Sequence, residues 1–231
     1  MKQIALDIGI ATGPSLANFL AGPNADALSH LNLWVGTQSD QAAAVARSPV
    51  PTYLWGADGS GKTHLLKATS AALRDQGASV GWLDASIPEP PEFQESWAAV
   101  LMDDVHLYTA VQQQAAFNWF VNAQTTLRWV LAAGAFSPAA LQLRDDLKSR
   151  LGWGHIFGLK VLSEPERRSV LRKAADDRGV FLGDDVMDFM LTRFSRDLGS
   201  LMELLDLLDG YALQSKRAIT VPLVRQMMEE S

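Results

Sequence analysis

The feature that most constrains this chain is a glycine-rich segment between a short β-type run and a helical pattern. Its sequence is a glycine, four residues and then Gly-Lys-Thr, which is the complete P-loop spacing. The glycines let successive backbone amides turn inward toward phosphate oxygens, and the following helix adds its positive N-terminal end. The alternative is a glycine-rich turn in which Lys-Thr occurs by accident. The strand–loop–helix context favours a phosphate site.

The predicted phosphate site spans residues 56–63, and two of its side chains have separate roles. Lys62 provides a cation for the outer phosphates of a nucleotide, and the Thr63 hydroxyl is a ligand for Mg²⁺. The expected cofactors are therefore ADP or ATP, together with Mg²⁺. The residues predicted to bind the nucleotide here are Gly56, Ala57, Asp58, Gly59, Ser60, Gly61, Lys62 and Thr63.

Two acidic residues follow a wholly apolar run at 98–102, which is typical of a buried parallel strand. The carboxyl end of such a strand lies at the same sheet edge as the P-loop. We therefore expect Asp103 to hold Mg²⁺, directly or through water, and Asp104 to orient the attacking water. The alternative is a pair of solvated acids that cap a loop.

The pattern around these motifs is that of an α/β protein as far as Leu162. The predicted strands are 52–55, 79–83, 98–102, 128–132 and 156–161, and the predicted helices are 24–46, 63–76, 110–124 and 141–151. Beyond Leu162 only helices are predicted, at 164–178, 185–194, 197–214 and from 220 onward, the first with a Ser163/Glu166 capping box. We predict a tail at 1–11, a P-loop domain at 12–162 with a parallel sheet flanked by helices, and a helical lid subdomain at 163–231.

Composition narrows the class of protein. A hydrophobic content of 48% with 20% charged residues is ordinary for a globular fold. The apolar runs are too short to span a membrane, and no secretory signal is visible. A net charge of −6 argues against a protein that coats nucleic acid, and the absence of cysteine excludes a disulfide framework. We expect a cytoplasmic protein with no membrane partner.

With these motifs placed, the chain resembles the AAA+ ATPases from about Ser15 to its end, and in particular the nucleotide-binding part of the bacterial replication initiator DnaA. Besides the P-loop and the Asp103-Asp104 segment, three segments carry the likeness. Residues 18–24, Asn-Phe-Leu-Ala-Gly-Pro-Asn, are similar to the segment that the family places beside the adenine; we call them the leading segment. Residues 148–154, Lys-Ser-Arg-Leu-Gly-Trp-Gly, resemble the arginine-finger box, and residues 196–201, Arg-Asp-Leu-Gly-Ser-Leu, resemble the sensor 2 segment.

The N-terminal tail distinguishes this chain from the initiator. Gln3, Ile4, Leu6 and Ile8 resemble the short peptide by which many proteins dock on the replication sliding clamp, the β subunit of the polymerase. The alternative is a β-type tail that packs on its own domain. We expect neither the initiator's long N-terminal domain nor its DNA-binding domain. This combination resembles the Hda family, which implies a clamp-tethered regulator of DnaA that meets DNA only through the clamp.

The resemblance also assigns roles to single residues. Arg150 is implied to be an arginine finger that acts on the initiator's ATP, with no partner in its own subunit, and Arg196 to fold over the nucleotide beside the P-loop and His64. From the residues alone, Arg150 could instead cap a helix end beside Gly152, and Arg196 could form an ion pair with Asp197 or Asp185. Self-association through nucleotide-site edges is the habit of AAA+ proteins, although no residue pattern here proves it.

One departure from the family bears on activity. AAA+ proteins place a polar residue after the fourth core strand, whereas residues 130–136 are apolar here and Ser137 is the first polar side chain. Efficient intrinsic hydrolysis is therefore not expected. We predict a regulator that stimulates ATP hydrolysis by DnaA and so inhibits replication initiation. The competing hypotheses are an autonomous P-loop ATPase or kinase and a DNA-loading factor, the latter disfavoured by charge.

Overall fold

The computed structural model describes residues 13–19, 21–36, 49–193, 198–215 and 219–230. The chain divides into two compact units, one of Pro14–Val161 and one that contains Leu162–Ser231. The predicted clamp peptide, with Gln3, Ile4, Leu6 and Ile8, lies outside the described residues, and so does Arg196.

The first unit is a parallel sheet of five strands with helices on both faces, which confirms the predicted fold class. The strands are β1 (Thr52–Trp55), β2 (Ser79–Leu83), β3 (Trp97–Met102), β4 (Trp129–Gly134) and β5 (His155–Gly158). The helices are α1 (Ala25–Val35), α2 (Lys62–Asp75), α3 (Ala110–Thr125) and α4 (Asp145–Leu151), with short 3₁₀ turns at Gly22–Asn24, Val105–Leu107 and Pro138–Ala140.

The order of the strands in the sheet is β2-β3-β4-β1-β5. Trp55 at the end of β1 lies opposite Gly134 at the end of β4, and Met102 at the end of β3 lies opposite Ala132. The carboxyl ends of β1, β3 and β4 therefore meet at one edge of the sheet. Ligand sites of α/β proteins form at this edge.

The sheet separates two hydrophobic cores because neighbouring residues of a strand point to opposite faces. In β1, Tyr53 packs into the core that includes Trp119 of α3, whereas Leu54 packs into the core that includes Leu31 of α1. The central strand β4 is buried along its whole length. A strand covered on both faces has no polar positions, which explains its continuous apolar sequence.

The second unit consists of α5 (Glu164–Asp177), α6 (Asp184–Arg193), α7 (Leu198–Ser215) and α8 (Val221–Glu230). The predicted capping box is present, since the Ser163 amide donates to a Glu166 carboxylate oxygen at 2.6 Å. Leu201, Leu205 and Leu208 of α7 are fully buried, as the apolar stripe predicts. Among the described residues, no helix is long and apolar enough to cross a membrane.

Two element boundaries differ from the sequence predictions. Helix α4 begins at Asp145 rather than at Leu141, because the buried Leu141 side chain is reached through a non-helical segment that continues to Arg144. Strand β4 ends at Gly134 rather than at Ala132. Its last residues are paired with β1 and are as buried as the rest of the strand.

Candidate nucleotide-binding site

The glycine-rich loop follows β1 and is fixed to the neighbouring strand, since the Gly56 amide donates to the Gly134 carbonyl at 3.3 Å. Gly61 has a φ of 93°, in the region that residues with a side chain rarely adopt. A Cβ atom on Gly61 would lie 2.6 Å from the ring of Phe19. The glycine is therefore required both by the turn and by the close approach of the leading segment.

Lys62 is the first residue of α2, and its side chain lies back over the loop. Its Nζ atom donates to the Gly56 carbonyl at 2.8 Å and to the Ala57 carbonyl at 3.1 Å. The residue is buried, with 5% of its surface exposed. A buried ammonium with no carboxylate bonded to it in the described structure is poised to exchange carbonyl oxygens for the anionic oxygens of a phosphate.

The first acid after β3 meets the P-loop threonine. Asp103 is buried, and its carboxylate accepts hydrogen bonds from the Thr63 side chain and, at 3.0 Å, from the Asp104 amide. Burial raises the pKa of Asp103, an effect that the Thr63 hydrogen bond and the Lys62 charge oppose. Sequence analysis predicted both as Mg²⁺ ligands, and the structure brings them together across forty positions of the chain.

Asp104 has a backbone conformation that is uncommon for a residue with a side chain, with φ 48° and ψ 43°. Such strain is typical of functional sites. The turn it makes starts the 3₁₀ segment Val105–Leu107 and directs the chain back across the edge of the sheet.

The residues present fit a nucleotide with Mg²⁺. The Ser60 hydroxyl is buried and has no hydrogen-bond partner in the described part of the chain, a state that costs about 1–3 kcal/mol until a ligand atom reaches it. Thr63 and Asp103 offer the hard oxygen ligands that Mg²⁺ prefers. No group of three acidic or histidine side chains among the described residues could hold a metal alone. Mg²⁺ at this site would complete its shell with phosphate and water oxygens.

His64, predicted near the nucleotide, contacts the N-terminal approach to the leading segment. Its Nε2 atom lies 3.1 Å from the Ser15 carbonyl oxygen, and its ring centroid lies 5.6 Å from that of Phe19. Burial lowers the pKa of His64. The imidazole thus fixes the leading segment to the first turn of α2.

Arg150 lies on α4, and in one respect the expectation for it is wrong. Its guanidinium has partners in its own chain, because it lies 5.1 Å from the ring centroid of Phe117 and 5.8 Å from that of Phe120. Sequence reasoning missed these two rings, since aromatic residues on α3 indicate only a core. Arg144 also lies over Phe117, at 4.9 Å, but it forms an ion pair with Asp146. No ion pair of Arg150 is found within the described ranges.

Comparison with known proteins identifies the family. A model of the Hda lid domain matches residues 164–228. An uncharacterised protein of Haemophilus influenzae is 36% identical over 188 residues, which cover 76% of this chain and 80% of that protein. The chain belongs to the Hda-like AAA+ family.

Solved structures with the same fold include two initiators and a motor. Domain III of Thermotoga maritima DnaA has a TM-score of 0.70 at 18% identity and covers 99% of this chain and 98% of its own. AMPPCP-bound DnaA from Aquifex aeolicus has a TM-score of 0.65 at 20% identity, over 87% of this chain and 66% of that one. The Thermotoga maritima RuvB branch migration motor has a TM-score of 0.64 at 16% identity, over 95% and 72%. The lid, the fold and the phosphate loop together support a DnaA-related regulator that binds nucleotide.

Proposed function

We propose that this Hda-like protein is a clamp-tethered regulator that stimulates ATP hydrolysis by DnaA and thereby restrains replication initiation. The observation that carries this proposal is the state of Arg150. Arg144 and Lys148 of the same segment are paired with Asp146 and Asp145, whereas the Arg150 guanidinium rests on aromatic rings. A cation left without an acid suits an anionic group supplied by another molecule.

In this proposal the chain's own nucleotide is a structural ligand. The loop amides and Lys62 would hold the phosphates of ADP or ATP, and Thr63 and Asp103 would hold Mg²⁺. The bound nucleotide supplies the negative charge that the loop is built to neutralise. Slow intrinsic hydrolysis is expected because Ala135 and Phe136 follow β4 and offer no polar side chain, although Asp104 is placed to orient a water.

Arg150 would act on ATP bound to DnaA. Charge develops on the γ-phosphoryl oxygens during hydrolysis, and a planar guanidinium can contact two of these oxygens together. Such a contact is strongest in the transition state, so it accelerates hydrolysis rather than only tightening binding.

The clamp would bring the regulator to DNA on which initiation has already occurred. Gln3 offers a hydrogen-bonding head, and Ile4, Leu6 and Ile8 alternate as apolar anchors for a surface groove. The net charge of −6 agrees with contact to DNA through the clamp rather than directly.

The test compares ATP turnover by the purified protein alone with turnover by DnaA in the presence of clamp-loaded DNA and this protein. We expect slow turnover alone and a strong stimulation of DnaA that requires both the clamp and this protein. Rapid turnover by the protein alone would instead support an autonomous P-loop ATPase and overturn the proposal.

A further inference from the structure

The edge of the sheet between the two phosphate-site motifs has a gap in its polar groups. Strand β4 lies between β3 and β1, so its carboxyl end lies between Asp103 and the glycine-rich loop. The residues that follow β4 at once are Ala135 and Phe136, whose side chains are apolar. A nucleotide whose outer phosphate reached this edge would find no donor on β4 itself.

The imidazole of His106 reaches this place from the turn after β3. Its Nδ1 atom accepts a hydrogen bond from the Ala135 amide at 3.2 Å. Its ring meets that of Phe136 edge-on, with the centroids 5.8 Å apart. The strained turn at Asp104 allows the chain to fold back so far. Two contacts to the residues after β4 therefore fix the position and the plane of this ring.

The hydrogen bond also fixes which nitrogen carries the proton. A neutral imidazole that accepts at Nδ1 has its hydrogen on Nε2. The Nε2–H group has no protein acceptor in the described portion of the chain, and the half-buried ring keeps it open to a ligand. His106 thus presents a single neutral donor at the edge of the sheet that also carries Asp103 and the P-loop.

We propose that His106 donates this Nε2–H to the terminal phosphate of a bound nucleoside triphosphate, and so makes the site distinguish ATP from ADP. The inference rests on the nucleotide site of the proposed function. Phosphates held by the loop amides and Lys62 extend toward Thr63 and Asp103, and the third phosphate is the one that comes nearest to the end of β4. ADP lacks that phosphate, so with ADP the donor stays in water.

The test measures the affinities of the full chain for ADP and for AMPPCP, both with Mg²⁺, by calorimetry. His106→Ala should weaken AMPPCP binding roughly ten- to hundredfold, the range for a hydrogen bond to a charged group, and change ADP binding less than about twofold. His106→Gln should restore most of the AMPPCP affinity, because an amide can both accept from Ala135 and donate to phosphate. Leu107→Ala, in the same turn and with an exposed side chain, is the matched control and should bind both nucleotides normally.

The outcomes separate the possible failures. Unchanged AMPPCP affinity in His106→Ala, or equal losses for both nucleotides, would overturn the inference, the latter because His106 would then only support the loop. A loss in Leu107→Ala as large as that in His106→Ala would also overturn it. If the wild-type chain bound neither nucleotide, the phosphate site itself would be wrong and the role of His106 would fall with it.

Discussion

The Arg150→Ala variant is expected to keep nucleotide and clamp binding and to lose its effect on ATP hydrolysis by DnaA. Arg150 contacts rings of α3, and its ring contacts include no residue of the phosphate loop. Arginines that act in trans on a γ-phosphoryl group contribute roughly 10³–10⁵ in rate. At about 1.36 kcal/mol per tenfold, this corresponds to about 4–7 kcal/mol of the activation barrier.

The cost of the same substitution to the fold is far smaller. The variant loses the guanidinium contacts with Phe117 and Phe120, and a cation over an aromatic ring at an accessible site contributes about 0.5–1 kcal/mol. In a chain of this length, 1 kcal/mol shifts the melting temperature by about 2–4 °C. The melting temperature should therefore fall by no more than about 4 °C, so misfolding would not explain a large loss of rate.

The assay is single-turnover hydrolysis of radiolabelled ATP preloaded on DnaA, after addition of clamp, DNA and the variant. Lys148→Ala is the matched control, because it removes a cation from the same helix that is already paired with Asp145 at 2.8 Å. Arg150→Lys should recover only part of the rate, because an ammonium lacks the planar fork of the guanidinium. Wild-type stimulation by Arg150→Ala, or an equal loss in Lys148→Ala, would refute the assignment.

Three further predictions test other parts of the molecule. Lys62→Ala should weaken ADP binding in calorimetry because the buried ammonium no longer balances phosphate charge, and an unchanged affinity would remove the phosphate site. Gln3→Ala or Leu6→Ala should abolish clamp binding in surface plasmon resonance while ADP binding persists, since a short peptide binds through few anchors; wild-type clamp affinity in either variant would contradict the docking peptide. Burial and the charge of His155 lower the pKa of His30, so the unfolded chain binds the proton more tightly and this contribution to stability, intact above about pH 6.5, is lost as the pH falls. His30→Gln should flatten the decline of the unfolding free energy between about pH 7 and 5.5 in urea titrations, and an unaltered slope would contradict the assignment.

The motifs and most elements could be predicted from the sequence because they depend on local chemistry. The P-loop is a turn that only glycine permits at positions such as Gly61, and the capping box at Ser163 is formed within one helical turn. The limits of β2, Ser79–Leu83, agree with the prediction because a charged, glycine-ended helix precedes the strand. Boundaries were wrong where a long-range contact decides the backbone, as at the buried Leu141, which delays the start of α4.

The sequence by itself therefore determined the class of fold, the phosphate loop and the acid that follows β3, since each is written in consecutive residues. Only the tertiary structure decided which distant groups meet. The order of the strands brings Thr63 to Asp103 and His106 to Ala135, and the packing of α4 on α3 places Arg150 on Phe117. These contacts follow from burying two faces of one sheet under helices, a condition on the whole chain that no single segment contains.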